Sequence, residues 1–84
     1  MKTRYYTVGD AKLTLHDMKV ISLIIQYKER WQVAEKLNIT EGTLQQELSE
    51  IYDEVEVDCE RHMVVWAWKH GFASNGNYRG KKIA

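Results

Sequence analysis

Leu44, Leu48, Ile51 and Val55 recur at spacings of four, three and four residues. That period lines them up along one stripe of a helix, whereas in a strand they would scatter over both faces. Just upstream, Asn38 stands where a helix end needs a residue tolerant of positive φ, Ile39 can plug a core, and Thr40 can cap the next helix. A shorter helix over Trp31 to Leu37 precedes this turn and buries Val33, Ala34 and Leu37. The centre of the chain is therefore a short helix, a tight turn and a longer amphipathic helix.

Two further helices flank this unit. Thr14 followed three residues later by Asp17 has the form of a capping box, so a first helix should start there and bury Met18, Ile21, Ile24 and Ile25. Asp58 can cap a fourth helix with Met63, Val64, Ala67 and Trp68 inward, Lys69 and His70 at its negative end, and Gly71 as its stop. Residues 1–12 read as a short N-terminal arm, and residues 73–84, with Ser74, Asn75, Gly76, Asn77 and Gly80, as a flexible tail with a basic tip at Arg79, Lys81 and Lys82. No strand is expected. The predicted fold class is all-α, with one domain in 84 residues, 44% hydrophobic residues and nine aromatics to close its core.

Residues 1–12 hold no apolar run long enough for a signal peptide or a membrane span, so a cytoplasmic protein is expected. The lone Cys59 has no disulfide partner and no metal-type spacing, and is expected to be a small buried or half-buried side chain. His16, His62 and His70 fall on different helices with no ligand pair between them, and no nucleophile or paired-carboxylate motif is present. No catalytic residue, metal or cofactor is expected, and an enzyme is disfavoured.

The formal charge sums to zero, but the charges are segregated. Residues 1–40 carry seven basic and four acidic side chains; residues 61–84 carry five basic ones and no acid. Between them, Glu41, Glu47, Glu50, Asp53, Glu54, Glu56, Asp58 and Glu60 occupy a stretch without a single Lys or Arg. The polar face of the third helix is therefore acidic.

Leu13-Thr14, the run from Val33 to Glu41, Thr43-Leu44, Leu48 to Tyr52, Val57 and the closing Trp66-Ala67-Trp68-Lys69-His70-Gly71-Phe72 resemble the LuxR/GerE class of helix-turn-helix domains, over residues 13–72 without a gap. Region 4 of sigma factors is similar around the turn, but the closing helix resembles only the LuxR class. The resemblance implies a four-helix domain controlling transcription, a third helix that enters the DNA major groove, and dimerisation through the fourth helix, here Met63, Val64, Trp66 and Ala67.

The family's basic series along that helix is missing. Gln45, Gln46 and Ser49 match its base-reading positions, but Gly42, Glu47, Asp53 and Glu54 stand at sites usually basic or His. Trp31-Gln32 replace a Lys-Glu pair, and Glu60 replaces an Arg. DNA affinity comes mostly from Lys and Arg displacing counterions from phosphates. Two like charges 7 Å apart in water repel by roughly 0.6 kcal/mol, so several carboxylates facing phosphates cost on the order of a few kcal/mol. The expected contact surface is Thr43, Gln45, Gln46, Glu47, Ser49, Glu50, Asp53 and Glu54. Its expected partner is a protein, such as a transcription factor or an RNA polymerase subunit. The alternative is a sequence-specific DNA-binding regulator in which the glutamines read adenine edges and the basic termini clamp the backbone.

Trp66 and Trp68 alternate around Ala67 and cannot both face one core. Either Trp66 packs on the N-terminal segment near Tyr5 and Tyr6, or it is an interface anchor. With no sensor or receiver domain in this sequence, control by abundance or by a partner is expected.

Overall fold

The computed structural model describes residues 5–79. Two short strands precede four helices: β1 (Tyr5–Val8), β2 (Ala11–Thr14), α1 (Leu15–Gln26), α2 (Arg30–Leu37), α3 (Glu41–Val55) and α4 (Glu60–Lys69). β1 and β2 pair antiparallel, with Tyr6 opposite Leu13 and Val8 opposite Ala11.

The hairpin corrects the all-α expectation: from Tyr5 onward the supposed arm is a folded element, and its first four residues lie outside the described ones. Tyr5, Tyr6, Thr7 and Val8 favour extended backbone, and Gly9-Asp10 form a two-residue loop with Gly9 at φ 60°. Val8, Ala11 and Leu13 are buried, while Tyr5, Thr7 and Lys12 face out. The apolar face of β2 rests on α1 and α3, which supply the packing that an isolated hairpin lacks.

Thr14 ends β2 and begins α1. The Asp17 N–H donates to Thr14 Oγ1 at 3.0 Å and the Thr14 N–H to Asp17 Oδ2 at 3.1 Å, completing the expected capping box. Asn38 closes α2 in the left-handed region, at φ 58° and ψ 45°, and the Thr40 hydroxyl accepts from the Thr43 N–H to open α3. All four stripe residues of α3 are buried. Glu56 ends that helix at φ 60°, a conformation that favours glycine.

The fourth helix departs from expectation in two places. Its N-cap is Cys59, with no side-chain cap, and that thiol is exposed. Trp68, expected inward, is 52% exposed, because Met63 and Ala67 already occupy the inward side of this short helix.

The flexible-tail expectation is also corrected as far as residue 79. Phe72 and Tyr78 form an antiparallel bridge, the Ala73 N–H donates to the Asn77 carbonyl at 2.8 Å, and the Arg79 N–H to that of Gly71 at 2.7 Å. The turn lies on α1 so closely that a Cβ on Gly76 would sit 2.6 Å from the Ser22 carbonyl oxygen. Tyr78 meets Tyr6 edge-on at 6.3 Å and Phe72 at 5.0 Å, so the turn and the hairpin share an aromatic contact. Lys81 and Lys82, the rest of the expected basic tip, lie outside the described residues.

The core gathers Val8, Leu13, Ile21, Val33, Leu44, Leu48, Ile51, Met63 and Phe72 with their smaller neighbours, and it contains no buried polar or charged side chain among the described residues.

Candidate functional site

Because one stripe of α3 faces the core, the opposite side faces solvent, and the flanks meet neighbouring elements. The outward side presents Gln46, Ser49, Glu50 and Asp53, all exposed. None of these four side chains makes a hydrogen bond or ion pair among the described residues.

The flanks are occupied. Towards the hairpin, the His16 ring lies 2.6 Å from the Glu47 carboxylate, and the Lys12 backbone N–H donates to Glu54 at 3.0 Å. On the other flank, Arg30 donates from Nε to Glu60 at 3.2 Å and from the guanidinium to Gln45 and, at 3.5 Å, to the Tyr52 hydroxyl. Burial raises the Tyr52 phenol above its ordinary value of 10.0, with Glu60 and Cys59 adding to the rise and Arg30 opposing it. Thr43 belongs to the cap, its hydroxyl accepting from that of Thr40 at 3.0 Å.

The eight residues expected to form the contact surface thus divide into a free centre and held edges. Gln45, Glu47 and Glu54 are tied to other elements and Thr43 to the helix cap, while Gln46, Ser49, Glu50 and Asp53 have no side-chain partner among the described residues. No cation on α3 offsets the acids, and the Arg30 guanidinium is already engaged.

Tertiary structure enlarges the acidic surface. Asp10 at the hairpin tip and Glu56 beyond α3 join Asp53 and Glu54 around a crevice walled by Trp66 and His70. Sequence reasoning missed Asp10, whose only signal was an acid in a Gly-Asp turn. Trp66 lies 4.9 Å from His70 between ring centroids, and a Cβ on Gly9 would come within 2.9 Å of the His70 ring. Trp66 therefore sits beside the hairpin tip, while Tyr6 finds its aromatic partner in Tyr78.

Of the four residues expected to form a dimer surface, Met63 and Ala67 are 0% exposed and belong to the chain's own core, and Val64 and Trp66 are half-buried. The outward residues of α4 are Arg61, His62, Val65, Trp68 and Lys69.

No group of three or more His, Cys, Asp and Glu among the described residues is arranged to hold a metal ion. No described helix is long and apolar enough to cross a membrane. The chain matches no family model, no curated protein and no solved structure. The similarity to LuxR/GerE domains therefore rests on the residues quoted for it above.

Proposed function

We propose that this chain is a cytoplasmic transcription-regulatory protein of helix-turn-helix form that acts by binding a protein through α3. The observation that carries the reading is the cation-less outward side of that helix, where Gln46, Ser49, Glu50 and Asp53 have no side-chain partner among the described residues; by the resemblance, this is the surface that such domains present to DNA. Carboxylates there repel phosphates and attract a basic protein surface, such as the DNA-binding face of a transcription factor or a basic patch of an RNA polymerase subunit. The Arg30 contact with Gln45 supports the same reading, since it occupies an amide that base reading would need.

Direct reading of DNA is the second reading, favoured by one observation: Gln46 and Ser49, which the resemblance matches to base-reading positions, are exposed and have no side-chain partner among the described residues. Fluorescence-anisotropy titration of duplex DNA at low and near-physiological salt separates the two. Absence of binding even at low salt is expected. Tight binding that falls steeply with salt and weakens in Gln46→Ala overturns the protein-partner reading. In a pull-down, Glu50→Lys with Asp53→Lys is expected to release the captured transcription protein while leaving the fold intact by circular dichroism.

A further inference from the structure

α4 carries an exposed stripe of opposite character to α3. Arg61, Val65, Trp68 and Lys69 recur at helical spacing on its outward side, and Glu60, the only acid of that helix, is held by Arg30. Val65 is 40% and Trp68 52% exposed, two apolar side chains about one turn apart on the same outward side. Trp31, also 52% exposed, lines one crevice together with Arg61, whose other walls include Glu29, Glu41 and the Arg30-bound Glu60. Neither Arg61 nor Lys69 makes an ion pair among the described residues.

Among the described residues, one molecule thus bears two helix faces of complementary charge that no other element covers. α3 offers Glu50 and Asp53 around Gln46 and Ser49, and α4 offers Arg61 and Lys69 around an aromatic anchor. The geometry points to a second copy of this chain as the occupant of the α4 stripe, docked through its own α3 face, in head-to-tail self-association. Aromatic anchors and Arg dominate the energy of such contacts, while the charges set orientation. Because two different patches meet, the contact is heterologous and leaves one free face at each end of a pair. An α4-to-α4 dimer would instead oppose Arg61 and Lys69 to themselves. Self-association would cover the α3 face, so the assembled protein would withhold the surface that the monomer presents. The contact involves this chain alone and stands or falls independently of any partner protein.

Sedimentation velocity of the full chain from micromolar to millimolar concentration tests it. A weight-average sedimentation coefficient that rises with concentration is expected, with the association constant falling by about tenfold from low to high salt. The α3 variant Glu50→Lys with Asp53→Lys and the α4 variant Val65→Ala with Trp68→Ala are each expected to be monomeric alone. Mixed, they retain one intact α4 stripe and one intact α3 face, and are expected to form a 1:1 pair that grows no further. All four positions are exposed, and circular dichroism checks that both variants fold. A wild-type chain that stays monomeric throughout, an α3 variant that still associates alone, or a mixture that forms no pair overturns the inference.

Discussion

The imidazole of His16, at the start of α1, lies 2.6 Å from the Glu47 carboxylate on α3, bridging 31 residues of sequence. With the Lys12 N–H on Glu54, it fastens the junction of hairpin and α1 along one flank of the acidic helix.

The pair is half in solvent, with side-chain exposures of 51% and 24%, so its contribution to stability is modest. A double-mutant cycle with His16→Ala and Glu47→Gln in urea denaturation is expected to return a coupling under about 1 kcal/mol that shrinks with salt. A coupling of several kcal/mol would show that the hairpin flank depends on this one contact.

Tyr52 predicts an alkaline limit. Its phenol is raised above 10.0, so the folded chain holds that proton more tightly than the unfolded one. The contribution is intact below pH 10 and is lost as pH rises from there through the folded value, where the unfolded state has released its proton first. Tyr52→Phe is expected to flatten this part of the stability-pH profile relative to wild type, measured by denaturation from pH 8 to 11.

Gly9 is constrained twice, by its positive φ and by the His70 ring 2.9 Å from where a Cβ would stand. Gly9→Ala is expected to cost about 1–3 kcal/mol, since it adds left-handed strain to a displaced ring. The His70 ring signals in an NMR spectrum should shift with it.

Glu56 shows the reverse case, a side chain held at φ 60°. Glu56→Gly removes the strain but gives the unfolded chain more freedom, so a net gain of about 0.5 kcal/mol is expected in thermal or urea denaturation. A loss would mean that the Glu56 side chain contributes more at the crevice than its backbone costs.

The acidic outward side of α3 was legible because it depends on one helix and its period: once Leu44, Leu48, Ile51 and Val55 face the core, Gln46, Ser49, Glu50 and Asp53 must face away. The engagement of Gln45, Glu47 and Glu54 was not. Arg30 is 15 residues from Gln45, and His16 is 31 from Glu47, so no local pattern connects them. The same holds for Asp10, which joins the acidic crevice only when the hairpin tip docks beside α3 and α4.

By itself the sequence determined what short-range interactions control: four helices, the Thr14 capping box, the Thr40 cap, the left-handed end at Asn38 and the buried stripe of α3. Each depends on neighbours within about four residues, which periodicity and capping chemistry express directly. Only the tertiary structure decided the rest. Strands of four residues are too weak to declare themselves alone, and Tyr5–Val8 and Ala11–Thr14 become a hairpin because Val8, Ala11 and Leu13 find a core built mainly by distant helices. The turn over residues 72–79 closes because Tyr78 meets Tyr6 and Gly76 fits against Ser22, contacts that span most of the chain. Trp68 is left outside because Met63 and Ala67 fill the space beneath α4, a competition for volume that exists only once the whole core is assembled.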